Sequence, residues 1–234
     1  MTRAHLTGPR SGTDWISLFD DEGRPVRRDR DAAALTRWVI DYLIEPHEEL
    51  GRGGPVCPFV KQSVVHGTFW AGFVPGVALT VDQMSPVIAD ALHTYLELPD
   101  GNHDSSPHTL VTVFPSLGDG HTVEVVHAAF KSRFVEKGLM LGQFYPGCRQ
   151  SGLWNKDFHA LDAPLPMLVV RKMMSTDYPF LVGRREWLFS YFSHFAPVLP
   201  VRLRWAMAER MQLDADSAKA IADLRMHGID EQAR

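Results

Sequence analysis

The feature that most constrains this chain is the exchange of two hydrophobic periods along it. Three stretches, 31–45, 82–98 and 122–136, repeat apolar residues at helical spacing, and short apolar runs of strand length lie at 68–74, 109–114, 139–145 and 166–174. The first helical stripe is Leu35, Trp38, Val39, Tyr42 and Leu43, and the second is Met84, Val87, Ile88, Ala91, Leu92, Tyr95 and Leu96. The third places Val123, Val126, Phe130 and Phe134 inward. Pro46 helps to end the first helix, Asp82 is the expected cap of the second, and Gly138 stops the third. Further helical segments are expected at 184–195, 201–211 and 215–227, punctuated by Pro197 and Pro200. This order predicts an α+β fold, with a mixed or antiparallel central sheet of about four to five strands covered by helices and a helical C-terminal tail.

Residues 1–28 mix glycine, proline and charge around one apolar patch, Trp15-Ile16-Ser17-Leu18-Phe19. They read as a flexible N-terminal arm, whose apolar patch docks on the core surface as an arm or short strand, ahead of a single domain over 29–234. A chain of 234 residues that is 45% apolar and 22% charged has enough apolar surface for a real core. With 24 Lys+Arg against 28 Asp+Glu, the net charge of -4 supplies no basic field for nucleic acid or an anionic membrane. The apolar run 165–170 is too short to cross a hydrocarbon core of about 30 Å, and Met1 to Arg10 has no signal-peptide core. The expected location is therefore the cytoplasm, the expected partner is a small-molecule substrate, and a homodimer is left open.

The chain lacks GxGxxG after a strand, GxxxxGK[ST], HExxH, GxSxG and CxxC. Its chemistry must come from eleven histidines and two cysteines, Cys57 and Cys148, which are expected to be reduced. Cys57 ends the run Gly51-Arg52-Gly53-Gly54-Pro55-Val56-Cys57 and precedes Pro58, a residue suited to the first position of a helix. As an N-cap it would meet free backbone N–H groups and the positive end of the helix dipole, which favour a thiolate, and Arg52 adds positive charge. Four readings of that sulfur stay open: axial ligand to haem iron, covalent nucleophile, redox-sensing thiol, and a cysteine that merely packs.

His66 lies nine residues on and is a candidate distal base or partner to the nucleophile. His127 and His194 are candidate proximal ligands, and Cys148, beside Gly147 and Arg149, is the fallback thiolate. Arg171-Lys172 and Arg184-Arg185 suit carboxylate binding through paired contacts. The aromatic residues around Phe69-Trp70, Phe73 and Phe144-Tyr145 suit either a pocket wall or a core.

Three segments carry a resemblance: Pro55-Val56-Cys57-Pro58-Phe59, Leu110-Val111-Thr112-Val113-Phe114-Pro115, and Asp177-Tyr178-Pro179-Phe180-Leu181. In this order the chain resembles the bacterial YqcI/YcgG family, some of whose members are haem enzymes that oxidise amino-acid nitrogen in natural-product biosynthesis. The Trp-rich and Cys-containing segments of that family's later strands are not reproduced here. The chain looks closer to an actinobacterial group with Cys-Pro-Phe-Val and Gly-Leu-Met-x-Gly-Gln-Phe signatures, here at 57–60 and 138–144. The resemblance implies a haem-iron oxidoreductase, an oxygenase or N-oxygenase of a small amino-acid-like metabolite. In that reading Cys57 is the metal ligand, with His194 and Cys148 as fallbacks. Arg52, Phe59 and Trp70 line the cofactor, and His66 and Arg171 are catalytic. The alternatives are a cysteine-nucleophile transferase or hydrolase and a non-catalytic small-molecule-binding protein.

Overall fold

A computed structural model describes residues 5–98 and 107–211, and the helix expected at 215–227 lies outside them. The fold is α+β, built on a six-stranded mixed sheet of order β1-β2-β3-β4-β6-β5. Its strands are β1 (His5–Thr7), β2 (Asp14–Ser17), β3 (Phe69–Phe73), β4 (Thr109–Val113), β5 (Leu139–Phe144) and β6 (Met167–Lys172). The helices are α1 (Arg30–Trp38), α2 (Pro58–Val65), α3 (Val81–Leu96), α4 (Gly120–Glu136), α5 (Arg185–Phe195) and α6 (Val201–Met211). Strands β3 and β4 run parallel, joined by a crossover through α3, whereas β2 and β6 lie antiparallel on either side of them. The chain gathers into two compact units, Met1–Lys131 with Met140–Lys172, and Ser132–Leu139 with Met173–Arg234, and residues of the expected domain over 29–234 fall in both.

The sheet exceeds the four to five strands expected because the N-terminal segment supplies two strands rather than a flexible arm or a single short strand. Residues 5–17 form the antiparallel pair β1–β2, which continues onto β3 through Ile16 opposite Ala71. Trp15 is completely buried and its indole N–H donates to Thr112 Oγ1 at 3.2 Å. Gly72 makes room for that ring, since a Cβ there would stand 2.9 Å from the indole. The turn of the hairpin is held by Asp90, a fully buried carboxylate in α3 whose Oδ2 accepts the N–H groups of Arg10 at 2.9 Å and Ser11 at 2.6 Å. One buried tryptophan and two charge-assisted hydrogen bonds outweigh the polar composition that suggests disorder.

The helix starts follow local chemistry. Asp29 caps α1 by accepting from Ala32 N, and α1 continues into a π-helical turn over Val39–Leu43, where Ile44 N donates to Val39 O. Thr80, not Asp82, caps α3, in a reciprocal box with Gln83. On one face of the sheet Phe69, Ala71, Val111, Val113 and Met167 pack with Leu35, Val39 and Leu43 and with Val60 and Val64 of α2. Phe19 meets Phe69 edge-on at 5.5 Å inside this layer. Burial of each such side chain contributes about 1.5–3 kcal/mol. In the second unit α5 and α6 pair through Phe189 stacked on Trp205 at 4.1 Å, and Tyr191 OH donates to Ser175 O at 2.6 Å.

Candidate functional site

Cys57 occupies the position expected of it. It is the N-cap of α2, extended at φ -128° and ψ 98°, with Pro58 as the first helical residue, and its side chain caps none of the helix N–H groups. The chain reaches this point through a narrow ladder in which Val56 N donates to Glu45 O at 3.0 Å and Cys57 N to Leu43 O at 2.8 Å. Gly51 and Gly54 adopt left-handed φ values of 78° and 82°, which lets the intervening turn close. Arg52 folds back inside the turn, donating to Gly53 O at 2.8 Å and Val56 O at 3.1 Å. Burial pushes the Arg52 pKa down, and the Cys57 sulfur beside it pushes the other way. A cation and a helix N-terminus thus converge on one half-buried thiol.

The sulfur lies on the rim of the core rather than in it. Cys57 packs on the same apolar layer as the partly buried side chains Trp38, Tyr42, Val56, Phe73 and Phe144. Trp38 stacks on Tyr42 at 5.8 Å and meets Phe144 edge-on at 5.7 Å, while Tyr42 also faces His47 and Phe158. Burial first, and then the Asp162 carboxylate, push the Tyr42 hydroxyl up to about 12. That phenol stays protonated at neutral pH and is a hydrogen-bond donor. Tyr42 sits on the π-helical turn, an insertion often found at functional positions.

The remaining expected residues divide clearly. Phe59, two residues into α2, lies under the Arg171 guanidinium at 5.4 Å, so these two are together near the start of the helix that Cys57 caps. His66 is exposed and forms the C-cap of α2, with its N–H on Gln62 O. Eight helical residues separate it from Cys57, about 13 Å at 1.5 Å per residue, which is too far for a shared proton. Trp70 alternates with Phe69 and Ala71 and so faces the other side of the sheet from the Cys57 layer, where its indole N–H donates to His108 Nδ1 at 3.2 Å.

The fallback ligands have different settings. Cys148 is fully buried, beside the Tyr145 hydroxyl. His194 is an exposed residue of α5, its ring against Gly138 and edge-on to Phe195. His127 is half-buried in α4 with Nε2 on Leu141 O at 2.9 Å, and loss of water around the ring is the largest cause pushing its pKa down to about 4. Among the described residues no group of three or more His, Cys, Asp or Glu is placed to hold a metal ion.

Two features escape a reading by pattern. Tyr145, whose hydroxyl donates to the Glu124 carboxylate, is pushed well above the ordinary tyrosine range by burial first and by that carboxylate and Cys148 next. The Trp38–Tyr42 rim reads as an ordinary helix stripe, because a π-helical turn leaves no mark in residue spacing. A proline at 46 ending an aromatic stripe is the one local hint.

Among the described residues, no helix is long and apolar enough to cross a membrane. No curated protein and no solved structure matches the chain. One family model does, described as a domain of unknown function (DUF6875), over residues 32–206, a span that runs from α1 through the Cys57 turn and the central strands into α6. The chain belongs to that family.

Proposed function

We propose that this chain is a haem-dependent oxygenase or N-oxygenase of a small amino-acid-like metabolite, with Cys57 as the residue that would hold the iron. The observation that carries the reading is the sulfur itself: a half-buried thiol at the start of α2, bonded to none of the helix amides and beside the Arg52 cation. A single thiolate is the whole protein ligand set that a haem-thiolate enzyme needs, so the want of a second histidine nearby is no obstacle. Bound there, haem would supply the redox chemistry of oxygen activation.

The chain's own residues have separate tasks in this reading. The start of α2 and Arg52 place the positive end of a helix dipole and a cation beside the sulfur. Trp38, Tyr42, Phe73 and Phe144 present apolar surface that would keep water from a group bound at the sulfur, and the Tyr42 hydroxyl, held protonated, would be available there as a hydrogen-bond donor. Arg171, supported on Phe59 near the first turn of α2, is the candidate partner for a substrate carboxylate. His66 has no role, because it caps the far end of the helix.

The absorption spectrum of protein produced with haem supplied tests this. A Soret band that shifts on reduction under carbon monoxide, and that Cys57→Ala abolishes while the far-UV circular dichroism is kept, is the expected result. Colourless protein in which iodoacetamide labels Cys57 rapidly at neutral pH points to the cysteine-nucleophile reading, which the same sulfur and arginine also support. Colourless protein with slow labelling refutes both and leaves a binding protein.

A further inference from the structure

Residues 145–166 join β5 to β6 without a helix or strand of their own, a length at which loops generally carry a task. This loop is fastened at its base and again at its tip. At the base, Tyr145 pairs with Asp162, and Gly147 N donates to Asp162 Oδ1 at 2.8 Å. At the tip, Asn155 Nδ2 donates to Glu49 O at 2.8 Å, inside the turn that leads to Cys57. Gly51 meets Trp154 so closely that a Cβ would stand 3.0 Å from the tryptophan Cβ and 3.1 Å from its carbonyl carbon. Phe158 is buried against His47 at 4.8 Å and Tyr42 at 6.3 Å, so it covers one edge of the aromatic rim.

The closed arrangement also carries a penalty. His159 Nδ1 is buried without a hydrogen-bond partner among the described residues, a loss that water would relieve once the loop lifts. Gly147, at φ 75°, supplies a backbone joint at the base. The Asn155 hydrogen bond, the packing of Trp154 on Gly51 and the Phe158 ring contacts that fasten the tip are not bonds of the sheet, so they can break while the sheet stays intact.

We infer that the tip of this loop, residues 149–159, is a strap that closes on the Cys57 turn and lifts to open the rim formed by Trp38, Tyr42 and Phe144, while the base that holds Cys148 and Ala163 stays in the core. What the strap guards rests on the proposed role of Cys57, but its opening is measurable without any cofactor. Two variants test it in protein purified without added haem. Asn155→Asp keeps the size and removes the donor to Glu49 O, and Phe158→Ala removes the ring over His47 and Tyr42.

Both should speed hydrogen exchange at the amides of Leu50, Val56 and Cys57 by about fivefold or more. The amides of Ala71 and Val111 should keep their wild-type rates. Iodoacetamide labelling of Cys57 should rise by a similar factor, with buried Cys148 as the internal reference. Unchanged exchange in both variants overturns the inference. So does equal acceleration in β3 and β4, which is general loosening, and so does faster exchange with no gain in labelling. A colourless protein would refute the haem reading and leave this result standing.

Discussion

Acidification should weaken the fold through His127, and the size of the effect follows from its surroundings. The residue is half-buried in α4, with Nε2 on the carbonyl of Leu141 at 2.9 Å, which requires a proton on Nε2. Burial is the largest cause of its low pKa, and Lys131 one turn along adds repulsion. The Leu141 carbonyl and Glu124 oppose them and lose. Unfolded, the residue titrates near the ordinary 6.5, and folded it titrates at about 4.

Between those values the unfolded chain binds the proton and the native one does not. The stabilisation is therefore complete above the unfolded value and is lost as pH falls toward the folded one. At about 1.4 kcal/mol for each tenfold change in proton affinity, the separation comes to roughly 3 kcal/mol. Most of it should be gone by about pH 4.5.

Carboxylates titrate in the same range, so the measurement is a difference. Urea unfolding of wild type and of His127→Gln, whose amide N–H can still reach Leu141 O, is followed from about pH 7 to about pH 4.5. The wild type should lose roughly 2–3 kcal/mol more than the variant over that interval. A difference that stays flat refutes the reasoning, as does an NMR titration of the His127 ring with its midpoint near 6.5.

Two more perturbations probe the N-terminal hairpin. Gly72→Ala drives a methyl to within 2.9 Å of the Trp15 indole and 3.0 Å of Thr13 Cγ2, and should cost about 1–3 kcal/mol in urea unfolding. A neutral result would mean that β2 moves freely on β3. Asp90→Asn keeps the shape but removes the charge that holds the N–H groups of Arg10 and Ser11, and should cost about 1–2 kcal/mol. Proteolysis should then start between β1 and β2, and cleavage elsewhere first would contradict the assigned tether.

Among the described residues, the elements that periodicity marks are present in the structure. Helices expected at 82–98 and 122–136 are Val81–Leu96 and Gly120–Glu136, and the strand expected at 109–114 is Thr109–Val113. Each has a repeating apolar face long enough to stand out from its flanks. The N-terminal strands do not, because β1 offers only Leu6 and β2 chiefly Trp15 to the interior. Their order comes from partners distant in the chain: Thr112, Gly72 and Asp90.

The candidate site divides in the same way. Glycine, cysteine and proline in succession determine a helix start with a sulfur at its cap, because proline at the first helical position and glycine in a left-handed turn are local requirements. The chain by itself thus determined where Cys57 sits in its own segment and, among the described residues, the long helices α3 and α4 and the central strands. Only the tertiary structure decided that Trp70 faces away from it, that His66 stands at the far end of α2, and that Asn155 reaches Glu49. Local backbone preference acts over a few residues, whereas the choice of sheet face, strand order and loop contact is made by burial between segments that lie far apart in the chain.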